Sequence, residues 1–152
     1  IGYTNGFYSG PSYGTVLGGL QLGFRYSPLG RVTALYDYKH QDSINANYFR
    51  DHHLGLRIDQ LFVPFAVSVV GDMMFRQYAG ISTLAPTLPD TRDDVIFSAT
   101  AALRYNHRDS LASVLQYRFA AVQTDYMYTI DGETDDPSFA RHELIIGVRA
   151  AY

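Results

Sequence analysis

The stretch Glu143–Tyr152, ELIIGVRAAY, decides how the rest of the chain is read. Successive side chains of an extended strand point to opposite faces. Leu144, Ile146, Val148, Ala150 and Tyr152 therefore share one face, and Glu143, Ile145, Gly147, Arg149 and Ala151 the other. One face is wholly apolar and ends on an aromatic ring. The other carries two opposite charges beside a glycine.

The same period-two pattern recurs upstream. Eight candidate strands emerge, at about 1–9, 13–26, 31–40, 47–59, 62–78, 93–106, 111–126 and 139–152, the periodicity expected of half-buried strands. One parity is apolar throughout: Leu20, Leu22 and Phe24; Val32, Ala34 and Tyr36; Leu54, Leu56 and Ile58; Phe65, Val67 and Val69; Phe97, Ala99 and Leu103; Leu115, Tyr117 and Phe119. Arg50, near a strand end, is the exception. The first segment (Ile1, Tyr3, Phe7) is the shortest.

The opposite parity holds Arg25, Arg31, Asp37, Lys39, Arg57, Asp59, Asp72, Arg76, Arg104, Arg118, Glu143 and Arg149, interleaved with small residues such as Gly19, Gly23, Gly55, Ala102 and Gly147. A soluble sandwich also has one apolar and one charged face. Its strands, however, average about 5–6 residues, and several segments here run past ten. A water-facing surface would use Lys, Glu and Thr freely, whereas this face uses Arg beside Gly and Ala. Arg suits confined, multiply hydrogen-bonded ion pairs, and small neighbours make room for it. That face reads as enclosed.

Composition agrees. The 152 residues suffice for one domain spanning 1–152. Aromatics make up 14%, as 13 Tyr and 9 Phe with no Trp, a bias suited to a membrane–water boundary. The longest apolar run, Leu61–Gly71, contains a proline and falls short of the roughly 20 residues of a spanning helix. A chain like this would cross a membrane only as a closed barrel, the other arrangement that satisfies every backbone group in lipid. With no cysteine there are neither disulfides nor thiolate metal sites, and a net charge of −3 gives no argument for nucleic acid. The chain opens on Ile1 without a signal peptide, as expected of a mature form or a piece of something longer.

The chain resembles a bacterial outer-membrane β-barrel over nearly its whole length, and its last strand is similar to the closing strand of that class. The likeness is to an architecture, with no motif specific to one family. It implies an all-β, antiparallel up-and-down transmembrane barrel of about eight strands in the bacterial outer membrane. Its partners would be outer-membrane lipid, lipopolysaccharide and the barrel assembly machinery, for which Leu144, Ile146, Val148, Ala150 and Tyr152 would be the recognition signal. No cofactor is implied. The same strands equally suit the C-terminal portion of a larger barrel.

Connection lengths fit, since short periplasmic turns should alternate with longer outer loops. Tyr26–Arg31, Asp59–Phe62 and His107–Ser110 are short and carry turn residues. His40–Asn47, Ala79–Arg92 and Asp125–Ser138 are longer; the first connection, Gly10–Tyr13, breaks the rule. Tyr26, Tyr105 and Tyr152 then fall at the periplasmic ends, and Tyr38, Tyr48, Phe75 and Phe97 toward the outer ends, as two aromatic girdles.

Small barrels of this kind include lipid A and peptide hydrolases, so the residues expected at the outer rim matter: His40, Asp42, Asp51, His52, His53, His142 and Glu143. No serine stands at strand spacing from a histidine there, and adjacent His52 and His53 face opposite ways. Wet-rim residues are the expected reading. The acidic run Asp131–Asp136 lacks full calcium-loop spacing and reads as a solvated hairpin tip. His107, Asp109 and Ser110 crowd one tight turn and form no relay.

The inward charges are the better lead. Nine basic residues (Arg141 included) face Asp37, Asp59, Asp72, Asp94 and Glu143. In an eight-stranded barrel they should pair across a lumen only wide enough for side chains, with Leu17, Leu35, Phe62, Val70, Met74, Ile96, Val114 and Ile145 filling the remainder. Three functions follow as expectations. The first is a non-enzymatic barrel with a filled, Arg-rich interior and surface-exposed loops, in a structural or interaction role. The second is part of a channel or exporter passing anions or polysaccharide, and the third an outer-leaflet hydrolase using His53 and Glu143.

Overall fold

A computed structural model describes residues 2–4, 13–43, 46, 48–80, 91–130 and 133–150. Its strands are β1 (Gly2–Thr4), β2 (Tyr13–Thr15), β3 (Gly18–Ser27), β4 (Gly30–Asp42), β5 (Tyr48–Phe62), β6 (Phe65–Ala79), β7 (Thr91–Arg108), β8 (Leu111–Thr124), β9 (Tyr128–Ile130), β10 (Glu133–Asp135) and β11 (Phe139–Ala150). The protein is all-β. Seven of these strands form one antiparallel up-and-down sheet in the order β11-β8-β7-β6-β5-β4-β3.

The sheet has seven strands where eight are expected from the sequence, and the difference lies at the N-terminus. Gly2–Thr4 pairs with Tyr13–Thr15 in a separate two-stranded ladder. Residues 1 and 5–12, the rest of that first candidate strand and its turn, lie outside the described residues. The sheet does not close: β3 and β11 are its two edges and are not hydrogen-bonded to each other.

The turns explain the meander. Ser27–Gly30 is tied by Pro28 and Leu29, with the Leu29 amide donating to Ser27 Oγ. Asp109 and Ser110 connect β7 to β8. The turn expected at Asp59–Phe62 sits instead at Val63–Pro64, because the β5–β6 ladder continues unbroken to the pair Phe62↔Phe65. Proline fixes its φ and has no N–H for a ladder, so pairing stops there. This moves Phe62 from the expected inward face to the apolar face, directly opposite Phe65.

Hydrogen-bonded rows cross the sheet at a slant to the turns. The row from Gly30, the foot of β4, runs through Gln60, Val67 and Leu103 to Leu115 and Ile146. Leu115 lies four residues above Leu111, the foot of β8. Four strand steps thus accumulate a stagger of four residues, one per strand.

Among the described residues no large side chain is fully buried, and Ala112 is the buried apolar residue. The apolar parity is open instead: Leu22, Phe24, Leu54, Leu56, Leu115, Leu144 and Val148 are exposed, and Ile146 is 78% exposed. The groups most withdrawn from solvent include Asp51 and Asp94, at 5% and 3%. The usual inside–outside order of a water-soluble protein is inverted.

Candidate functional site

The ladder registers place Arg31, Asp37, Lys39, Arg57, Asp59, Asp72, Arg76, Arg104, Arg118, Glu143 and Arg149 on one face. Arg25, beyond the last regular pair of the β3–β4 ladder, reaches the same cavity as Arg31 and Arg149. Close packing explains two of the glycines between them. A Cβ on Gly19 would collide with the Asp37 carboxylate, and one on Gly23 would stand 3.0 Å from an Arg31 guanidinium nitrogen.

The face divides into three zones along the strands. Toward the longer loops, Arg76 forms a two-pronged bond to Asp51 at 2.7 and 2.9 Å, and Arg92 does the same to Asp94 at 2.7 and 2.8 Å. Both guanidiniums are also covered by rings. Arg76 lies 4.3 Å from the Phe49 centroid, and Arg92 lies between Tyr78 at 5.3 Å and Tyr126 at 5.8 Å. Planar guanidinium suits both forms of contact at once.

In the middle, His53 links two carboxylates, with Nε2 2.9 Å from Asp72 and Nδ1 3.6 Å from Asp37. Lys39 stands 3.7 Å from Asp37. Beyond β7, on β8 and β11, Arg141 meets Glu143 at 3.3 Å, and Arg118 approaches it at 4.0 Å.

Toward the short turns, charge is not matched. A cavity of about 670 Å³ is lined by Arg25, Arg31, Arg57, Arg104 and Arg149 with one carboxylate, Asp59. Arg57 grips Asp59 at 2.7 and 3.1 Å, and Ser68 donates to the same carboxylate at 2.8 Å. Arg31 stands opposite Asp59 in the ladder. Among the described residues Arg25, Arg104 and Arg149 make no ion pair, and Nε of Arg104 is shut from solvent without a hydrogen-bond partner.

Among the described residues the ion pairs are local. Arg57–Asp59, Arg92–Asp94, Arg141–Glu143 and Lys39–Asp37 join residues two apart on one strand, and the remaining pairs join adjacent strands. A strand holds residues i and i+2 on one side about 7 Å apart, within reach of a long basic side chain. Asp51, expected at the rim, and Arg92, expected in a loop, are central to the network. The repeated Arg-x-Asp spacing is the signal that could have found Arg92.

On the opposite, apolar face, Tyr38 packs on His52 at 4.8 Å and Phe65 on Tyr105 at 4.9 Å between ring centroids. Phe97 lies 5.7 Å from Phe119. Tyr48 and Phe75 share this face with them by register, and Tyr26 is exposed near the foot of β3. Leu144, Ile146, Val148 and Ala150 lie in one row on β11, opposite Tyr117, Leu115, Ser113 and Leu111. Tyr152 lies outside the described residues.

Catalytic geometry has one fragment. His107 Nε2 lies 2.8 Å from Ser113 Oγ, in place of the nearby Ser110, and among the described residues no carboxylate bonds that histidine. His53 and Glu143 are not bonded to each other; they belong to separate ion-pair groups. No group of three His, Asp or Glu among the described residues is placed to hold a metal. Among the described residues no helix is long and apolar enough to cross a membrane, which leaves strand-crossing open. Comparison with protein-family models, curated proteins and solved structures finds no match to this chain.

Proposed function

We propose that this chain is a non-enzymatic outer-membrane β-barrel whose outer loops are offered for surface contact and whose Arg-rich face lines the interior. The observation that carries it is the inversion of the sheet: large apolar side chains open on one face, buried carboxylates on the other. Two geometric facts support closure. Arg25 on β3 and Arg149 on β11 line one cavity, although a flat sheet would hold those edge strands about 29 Å apart; the sheet must curl toward itself. In addition, a stagger of one residue per strand inclines the strands by about 35° when the turns are level, within the range of outer-membrane barrels.

Lipid and lipopolysaccharide would meet the apolar face, and the ion pairs of Arg76 and Arg92 would close the interior toward the loops. The test is fractionation with refolding: the chain should partition with outer membranes and keep its β-structure in micelles or vesicles. Stable monomeric solution in plain buffer with the apolar face covered would overturn it.

The unpaired edges of β3 and β11 favour a second reading, in which further strands complete a wider channel or exporter for anions or polysaccharide. Planar-bilayer recording separates the two. Large, steady conductance supports the wider pore, and its absence from folded, inserted protein supports the closed interior.

A further inference from the structure

We propose that the cavity at the short-turn end is a binding site for a multiply charged oxyanion, of the phosphate or polycarboxylate class. Five arginines on five strands, β3, β4, β5, β7 and β11, converge on one space of about 670 Å³, a volume in the usual range for small-molecule sites. Against them stands Asp59, which leaves a formal surplus of four positive charges. Asp109 lines an adjoining cavity with Arg104 and Arg149 but forms no ion pair with either; counting it, the surplus is three.

The contrast within the same face is the argument. Arg76 and Arg92 are each satisfied twice over, by a carboxylate fork and by aromatic rings. The carboxylates between the zones are committed elsewhere: Asp72 to His53, Glu143 to Arg141. Arg25, Arg104 and Arg149 are left without a counter-charge among the described residues, and Arg31 stands opposite Asp59, whose two oxygens Arg57 already holds. Guanidinium forks match phosphate and carboxylate oxygens two at a time, and several lining one cavity favour an anion carrying more than one charge. Apolar residues Leu29, Leu61, Ala102 and Val114 line the same space, which suits an oxyanion borne on an organic body. Arg25, Arg31, Arg57 and Arg149 are exposed, so the charge is accessible to a ligand. This inference uses the cavity alone and needs no membrane.

Calorimetric titration of the purified, folded chain tests it, with inorganic pyrophosphate and citrate as probes and chloride as the monovalent control. Pyrophosphate or citrate should bind with a dissociation constant of about 1 mM or tighter, and added salt should weaken it. The better of the two probes assigns the class. Arg104→Gln and Arg149→Gln should each weaken binding by about tenfold, the loss of one charged hydrogen-bonding group. Arg50→Gln, on the apolar face opposite His40, should leave it unchanged. Should Arg104→Gln fail to fold, Arg25→Gln on the edge strand gives the same readout. No binding by either probe, or equal loss in Arg50→Gln and the cavity variants, overturns the proposal.

Discussion

Tyr36 and Tyr117 each stand six residues above the foot of a strand that leaves a short turn, Gly30 and Leu111 respectively. Each hydroxyl shares a hydrogen bond with Nδ1 of a histidine on the neighbouring strand, His52 at 2.9 Å and His142 at 2.7 Å. The local sequences correspond too: Tyr36-Asp-Tyr38 faces His52-His-Leu54, and Tyr117-Arg-Phe119 faces His142-Glu-Leu144. A ring with one polar end, bonded to a histidine, carries polarity at low cost on an apolar face. Given the stagger of the strands, the two pairs mark one height.

The chain has no tryptophan, so Tyr36→Trp and Tyr117→Trp each introduce a single indole. Depth-dependent quenching by brominated lipids should return the same depth for both. Clearly different depths would reject the common height, and quenching by aqueous iodide alone would reject the membrane reading.

Val69 lies opposite Ile58 and Ala101 in the middle of the apolar face. In vesicles Val69→Arg should cost about 2–4 kcal/mol of folding free energy, and Tyr105→Arg near the turns about 0–1 kcal/mol. Urea titration measures both. Val69 is 42% exposed, so in a water-facing sheet the same change would be close to neutral.

Asp51 is 5% exposed and held by Arg76 at 2.7 Å. Arg76→Met strands a buried carboxylate and should cost about 3–5 kcal/mol, while Arg76→Met with Asp51→Leu should recover most of it. Equilibrium unfolding of the three chains decides. Equal loss in the single and double variants would show that packing, not charge, is at stake.

The Asp136 carboxyl lies in the loop before β11 and is held below the ordinary aspartate range by hydrogen bonds from the Ser138 side chain and backbone, the amide at 2.8 Å. Ser138 Oγ in turn accepts from the Thr124 amide at 3.2 Å. A depressed carboxyl supports the folded loop above its unfolded pKa, and that support is lost as pH falls through the folded value. Amide protection at Ser138 and Thr124, taken relative to the intrinsic exchange rate at each pH, should therefore fall only in acid, and Asp136→Asn should remove the pH step.

Period-two reading made the two faces legible because face is a property of one strand alone. The charged residues from Arg31 to Arg149 that alternation groups together share one face of the sheet by register. What a residue meets on its neighbour depends on where each ladder starts and stops. The β5–β6 ladder runs on to Phe62↔Phe65 and turns at Val63–Pro64, beyond Asp59–Phe62, so Phe62 lies on the face opposite to the one that alternation within residues 62–78 assigns to it. Arg92 was missed because β7 begins at Thr91, two residues before the apolar alternation starts. The surplus of arginine at the turn end was hidden for another reason: the whole-face tally is spread over three zones, and only the register separates them.

The spacing of the charges bears on how such a sheet would reach its final place. Arg57 with Asp59, Arg92 with Asp94 and Arg141 with Glu143 each sit on a single strand. Each is an opposite-charge couple that needs no second segment to exist. A bare charge moved into hydrocarbon is expensive, but a strand carrying its own counter-ion travels as a neutral dipole. Hairpins of this chain could be threaded into a bilayer one at a time, with Arg25, Arg104 and Arg149 making the journey uncompensated at the turn end, where they need go no further than the leaflet they face, and Arg50 near the loop end of β5.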